Sequence, residues 1–291
     1  MSDRKTLLCF GYGYSASTLA EHLAVTEPGC WRCLGTRTNP PATRDGATTL
    51  LTYSGGQPTT DLRNAIASAT HILVSIPPDL EGDPVVRDFA DAIATAPALE
   101  WIGYYSTIGV YGDVGGAWID ETAPLRPSSE RSLRRVRAES DWQKLAANSG
   151  ARLNILRLPG IYGPGRSVIE ALRTGTARRI VKPEQVFNRI HVLDIARATA
   201  AAMNTRSTST ILNVTDDEPS PPQDVVAYAA DLLGLPPPPE VPFDAAAMTP
   251  MARSFYAENK RVSNARMKSE LSFALAFPTY REGLLDILRA T

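Results

Sequence analysis

Cysteine is scarce, with three residues, Cys9, Cys30 and Cys33, in a chain of 291. So small and odd a number cannot build a disulfide framework and suits a reducing compartment, so the cytoplasm is the expected location. Long hydrophobic runs are also missing. No window approaches the ~18 uninterrupted apolar residues of a membrane-spanning helix, so no membrane partner is expected. Arg4 and Lys5 precede an apolar stretch in the manner of a secretion signal, but Gly11 and Gly13 cut that stretch off after Phe10. Charge of one sign is absent as well: 30 Lys and Arg face 31 Asp and Glu, a net charge of −1. No overall field then favours nucleic acid or an anionic surface. Small-molecule chemistry remains, with no metal expected and with monomer and homodimer both open.

What is present is an alternation of short apolar runs with helical stretches, the pattern of a parallel sheet covered on both faces. Strands are expected at Thr6–Phe10, Trp31–Gly35, Thr48–Thr52, His71–Ile76, Trp101–Ser106 and Leu153–Leu158. Helices are expected at Ser15–Val25, Thr60–Ser68, Pro84–Ala94 and Ser129–Asn148. The alternation fades after Gly160. Four prolines at 236–239 are read as a link between helices, a loop-like stretch runs to Asn259, and helices are expected again at Asn264–Leu271 and Arg281–Leu288. The organisation expected is a Rossmann-type, doubly wound α/β domain over residues 1–160. Residues 161–291 would complete the sheet and form a smaller substrate-binding lobe. Cys30 and Cys33 spell C-x-x-C, but a reactive pair belongs at a helix N-terminus. Cys33 falls in a predicted strand, so the pair reads as a strand cysteine beside a loop cysteine.

Gly11-Tyr12-Gly13-Tyr14-Ser15-Ala16 fits G-x-G-x-x-A between a predicted strand and a predicted helix. Gly11 permits the tight turn, Gly13 lacks the Cβ that would block a pyrophosphate, and Ala16 allows close helix–strand packing. The first N–H groups of the helix, from Tyr14 and Ser15 onward, would point at the anion. The turn is therefore read as a dinucleotide site. An NAD site usually has an acid about 20 residues further on, to hold the adenosine ribose. None occurs between Trp31 and Arg44. Thr36, Arg37 and Thr38 stand there instead, suited to a 2′-phosphate, so NADP is the expected cofactor, with NAD possible. Ser75 and Pro77, near the end of the fourth predicted strand, and Ser106 complete the expected cofactor contacts.

Ser106-Thr107-Ile108-Gly109-Val110-Tyr111-Gly112 resembles the S-T-x-x-V-Y-G signature of extended short-chain dehydrogenases and the NAD-dependent epimerase/dehydratase family. Asp120-Glu121-Thr122-Ala123-Pro124 resembles the family's acid-rich turn. Leu156-Arg157 through Tyr162-Gly163-Pro164-Gly165 resembles its L-R-x-x-x-x-Y-G-P-G segment. Arg189 to Ala196 resembles its I-H-V-D-D-I-A segment, and Asn213-Val214 its closing strand. The resemblance fails at the chemical centre. The family carries Y-x-x-x-K followed four residues later by Glu; aligned on Glu139, the Tyr position is Arg131 and the Lys position is Arg135. No tyrosine occurs between Tyr111 and Tyr162, so a shifted register does not restore the pattern. Tyr256 to Lys260 spells Y-x-x-x-K beyond the family's last strand and is treated as coincidence.

The resemblance implies an atypical member that keeps the cofactor fold and replaces the usual acid/base. Arginine does not deprotonate in proteins, so Arg131 can only stabilise negative charge. Arg135 would hold nicotinamide ribose hydroxyls and serve both cofactor and chemistry. Thr107 would donate to a substrate oxygen. Tyr111, Tyr162 and His191 are the candidate replacement proton donors, His191 reading first as a packing histidine. Arg126, Arg131, Arg134, Arg135, Arg166 and Arg189 favour an anionic metabolite. The leading expectation is an oxidoreductase or epimerase/dehydratase-like enzyme acting on a small molecule. The alternative is a catalytically inactive sensor or regulatory protein binding NADP(H). A thiol redox protein is a third class.

Overall fold

The computed structural model describes residues 4–40, 42–56, 59–205 and 210–290. The chain opens with β1 (Lys5–Phe10), α1 (Tyr14–Thr26) and β2 (Trp31–Arg37). A hairpin of β3 (Arg44–Asp45) and β4 (Thr48–Thr52) follows, then α2 (Thr60–Ser68), β5 (His71–Val74) and α3 (Pro84–Ala94). Next come β6 (Trp101–Thr107), β7 (Trp118–Ile119), α4 (Glu130–Ser149) and β8 (Arg152–Leu158). The chain continues through β9 (Gly160–Tyr162), α5 (Val168–Arg173), β10 (Arg179–Val181), β11 (Arg189–His191), α6 (Val192–Asn204) and β12 (Thr210–Asn213). It closes with α7 (Pro222–Leu232), β13 (Glu240–Pro242), α8 (Pro250–Phe255), β14 (Arg261–Val262), α9 (Ala265–Glu270) and α10 (Tyr280–Arg289).

The main sheet has the order β12-β8-β6-β5-β1-β2-β4-β3. From β4 to β8 this is the 3-2-1-4-5-6 order of a Rossmann sheet, and the expected doubly wound α/β class is observed. The direction of winding reverses between β1 and β5, which pair in parallel from Leu7↔His71 to Phe10↔Val74. Four central strands thus end on one edge of the sheet, with Phe10, Arg37, Val74 and Thr107 last in their strands. Beneath that edge the core is continuous: Leu8, Phe10, Ile72, Val74, Ile102, Tyr104, Phe89, Trp142 and Ile155 are all buried in one cluster. The runs of apolar residues in β1, β5 and β6 reflect burial on both faces.

The chain divides into two compact units, each drawn from three segments. The first comprises residues 1–107, 129–157 and 195–212, and holds nearly the whole sheet. The second comprises residues 108–128, 158–194 and 213–291. Within it, two-stranded parallel ladders join β11 to β9, β10 to β13 and β14 to β7. Its apolar centre includes Tyr162, Ile169, Val225, Ala229, Tyr280, Leu284 and Ile287. The prolines at 236–239 lead from α7 to β13, so they join a helix to a strand and not, as expected, two helices. The stretch read as loop-like before Asn259 contains β13 and α8. Among the described residues no helix is long and apolar enough to cross a membrane.

Candidate cofactor turn and candidate catalytic residues

The glycine turn joins β1 to α1 as expected. Gly11 has φ +89°, a conformation that glycine adopts without strain. Its N–H donates to Thr36 Oγ1 at 2.9 Å, and its carbonyl accepts from Ser75 Oγ at 2.6 Å. Gly13 is the N-cap of α1 and supplies no side chain to cap it. A β-carbon at Gly13 would have no heavy atom within 4 Å, so the glycine leaves open space at the helix start. This helix carries no acid in its first turn, which keeps its positive end available to an anion. Ser15 and Ala16 are buried on the face of α1 that packs down, Ala16 at 1% exposure.

Two expected cofactor contacts serve the turn itself. Thr36 is 1% exposed, and its hydroxyl and carbonyl both hold the turn, the carbonyl accepting from Tyr12 N at 2.7 Å. The hydroxyl of Ser75 is committed to Gly11, whereas Pro77 and Thr38 are exposed. Tyr12, the unspecified residue of G-x-G, was not singled out by the motif yet ties the turn to β2. Its ring lies where a β-carbon at Gly35 would stand 2.6 Å away, and its hydroxyl pairs with Thr48 Oγ1 at 2.9 Å.

Arg37 is placed at the end of β2 as expected, but it has company. Its Nε donates to Tyr12 O at 2.9 Å, its Nη2 reaches Asp45 Oδ2 at 2.9 Å, and the guanidinium lies 5.6 Å from the Tyr12 ring centre. Asp45 is one residue beyond the stretch read as free of acids. The signal that reveals it is Asp45-Gly46 itself, a hairpin-turn dipeptide between strands, with Gly46 at φ +55°.

At the end of β6, Ser106 is 5% exposed and donates to Glu139 Oε1 at 2.5 Å. Glu139 is held from the other side by Arg157, Nη2 to Oε2 at 2.7 Å and Nε to Oε1 at 3.1 Å. The hydroxyl of Ser106 is therefore engaged with a buried ion pair. Thr107, the next residue, is half-buried. Arg135 projects from α4 to the same strand, its Nη1 donating to Tyr104 Oη at 2.9 Å and Tyr105 O at 2.8 Å. Burial pushes the Tyr104 phenol up, opposed by the Arg135 charge. Arg131 lies one helical turn before Arg135, on the same face, and is exposed.

The proposed replacement donors belong to the second unit, and both tyrosines are buried there. Tyr111 is 0% exposed and donates to Asn213 Oδ1 at 2.7 Å. Tyr162 is buried in the second apolar centre, edge-on to His191 at 5.2 Å, and its hydroxyl faces the space a Gly283 side chain would fill. Burial, then Asp216 and Asp194, push its phenol up, away from proton transfer near neutral pH. His191 is a packing histidine as read: 2% exposed, tilted against Phe277 at 4.1 Å, with Nδ1 accepting from Leu193 N at 3.3 Å. Burial lowers its pKa. Lys260 is 5% exposed, donating to Gly112 O at 2.6 Å and paired with Glu258, which gives the Tyr256–Lys260 match a structural role.

The expected arginine group divides. Arg131, Arg134 and Arg135 stand on α4 in the first unit; Arg126, Arg166 and Arg189 belong to the second. Arg189 Nη1 donates to Phe187 O at 2.9 Å and Ser220 O at 3.2 Å. As for the thiols, Cys30 is exposed beyond α1, while burial pushes Cys33 on β2 up to about 11, away from thiolate reactivity.

Residues 86–215 match the model of the NAD dependent epimerase/dehydratase family. A 3-diazoavenalumate denitrifying reductase from a Streptomyces species is 32% identical over 181 residues, 57% of this chain and 58% of that protein. The chain thus spans less than two thirds of that relative's length. A solved structure of a conserved protein of unknown function from Silicibacter pomeroyi is 48% identical, covers 98% of this chain and 99% of its own, and superposes with a TM-score of 0.87. MoeE5, solved with UDP-glucuronic acid and NAD, shares the fold with a TM-score of 0.78 at 20% identity, over 98% of this chain and 99% of its own.

Proposed function

Because residues 86–215 match the model of the NAD dependent epimerase/dehydratase family, we propose that the chain is a member of that family, binds a nicotinamide dinucleotide at the Gly11–Ala16 turn and acts on a small, anionic metabolite. The observation that carries the reading is the uncapped start of α1 beside the side-chain-free face of Gly13, at the reversal point of the sheet. Arg37 and Thr38, at the end of β2, would meet the 2′ position of the adenosine ribose, and NADP is the proposed preference, with NAD accepted. A nicotinamide supplies hydride chemistry when bound. The chain's own part is to position and to stabilise charge. Arg135, fixed by Tyr104 and Tyr105, presents a permanent cation at the end of β6 to ribose hydroxyls, and Thr107 offers a hydroxyl to a substrate oxygen. Arg131 adds positive charge one turn earlier but no base.

The reaction class is oxidoreductase or epimerase/dehydratase-like, and its proton handling is weak by construction. A second reading, a sensor of NADP(H) without turnover, is favoured by one observation: Tyr111 and Tyr162, the tyrosines nearest the family's motifs, are both buried and bonded within the protein. Thermal melts with NADPH and NADH test the binding site. Either ligand at ~100 times its Kd should add about 2.7 kcal/mol of stability, and Gly13→Val should remove the effect while the fold survives. Melts unmoved by both would overturn the reading.

A further inference from the structure

We infer that Asp45 is a resident counter-ion that competes with the 2′-phosphate for Arg37 and so sets how strongly the protein prefers NADP over NAD. The inference rests on the proposed cofactor turn and deepens it by naming the residue that limits selectivity.

The arrangement is built from local parts. β3 and β4 pair antiparallel, Asp45 opposite Thr48, across a turn that starts at Gly46. Thr48 is 3% exposed and anchored to the Tyr12 hydroxyl, so the hairpin is tied to the glycine turn. Asp45 is thereby held with its carboxylate 2.9 Å from Arg37 Nη2, while Tyr12 O takes the Nε proton. Of the five donors of a guanidinium, two are thus engaged, and the fork that would grip a phosphate bidentately is shared with a carboxylate. Both side chains keep solvent contact, 33% exposed for Arg37 and 47% for Asp45, so the pair is weak enough to open. A phosphate seated on Arg37 must displace Asp45 or stand beside its negative charge. The 2′-hydroxyl of NAD meets neither obstacle, and a carboxylate accepts a hydrogen bond from it.

Calorimetric titration of NADPH and NADH into wild type, Asp45→Asn and Asp45→Asn/Arg37→Ala tests this. Asp45→Asn should raise the NADPH-to-NADH affinity ratio about ten-fold, the size of one partly screened unit-charge repulsion a few ångström away. NADH should bind unchanged or more weakly, and adding Arg37→Ala should abolish the gain. Asp45→Ala should repeat the shift, separating charge from the asparagine amide. Binding of both cofactors with a ratio that moves less than two-fold in either Asp45 variant overturns the inference and leaves the cofactor turn standing. Binding of neither cofactor by the wild type overturns both.

Discussion

Arg157 grips Glu139 through two hydrogen bonds, with side-chain exposures of only 2% and 4%. The third partner, Ser106, donates to the same carboxylate. Taking either charge away strands the other in a dry interior. Glu139→Gln and Arg157→Met should each cost about 3–5 kcal/mol, measured by urea denaturation. The double variant should recover much of that loss, because no unpaired charge is left. Equal loss in single and double variants would refute the pairing as the main term.

Tyr111 is assigned to packing, and that separates stability from binding. Tyr111→Phe removes a fully buried hydroxyl and leaves Asn213 Oδ1 short of a donor, at a cost of about 1–3 kcal/mol. Cofactor affinity and any turnover should stay within two-fold of wild type. A hundred-fold drop in turnover at unchanged stability would return Tyr111 to the chemistry.

Turnover of simple alcohols and ketones should be absent or very low in the wild type. General acid–base groups supply about 10²–10⁴-fold, and the proposed reading gives the place of a catalytic tyrosine to Arg131, which offers no base. Arg131→Tyr with Arg135→Lys should keep the fold and create weak reductase activity with the bound cofactor. Robust wild-type turnover insensitive to Thr107→Ala would show that the active site lies elsewhere.

Acid should destabilise the protein through His71. Its ring packs between Trp31 and Trp101, and burial lowers its pKa from 6.5 to about 3. The unfolded chain therefore takes up a proton at a pH where the folded chain does not. The contribution is complete above pH 6.5 and is lost progressively as the pH falls from there towards 3. Across that window this group should remove about 1.4 kcal/mol per pH unit. Denaturation midpoints measured from pH 7 to 4.5 should show a slope that flattens in His71→Phe.

The sheet was readable because its signal is local. The apolar runs at Thr6–Phe10 and Trp101–Ser106 need no partner to be recognised, and Thr60–Ser68 and Pro84–Ala94 emerge as the helices expected. The second unit was opaque for the opposite reason. Its ladders are two or three residues long and join distant segments, as Arg261 pairs with Trp118, so no periodicity accumulates. The candidate site shows the same split. Gly11 and Gly13 carry their chemistry in the motif, but the fate of Tyr111 is decided by Asn213, and that of Tyr162 by Gly283, more than a hundred residues away. Asp45 lies one position beyond the acid-free stretch from Trp31 to Arg44, within the hairpin-turn dipeptide Asp45-Gly46.

The first unit takes its last segment, residues 195–212, from far along the chain. Thr199 Oγ1 then meets Tyr105 Oη at 2.9 Å, and Met203 O accepts from Arg152 Nη2 at 3.0 Å. On the ribosome, β8 must therefore wait for its outer neighbour while about 55 more residues are made, roughly 3 to 11 s at 5–20 residues per second. Through that interval a strand of Leu153, Ile155 and Leu156 has an unpaired edge. Nascent chains stalled after β8 has left the exit tunnel but before residue 213 has should be the ones that recruit chaperones, and those stalled late enough to free residue 213 should release them.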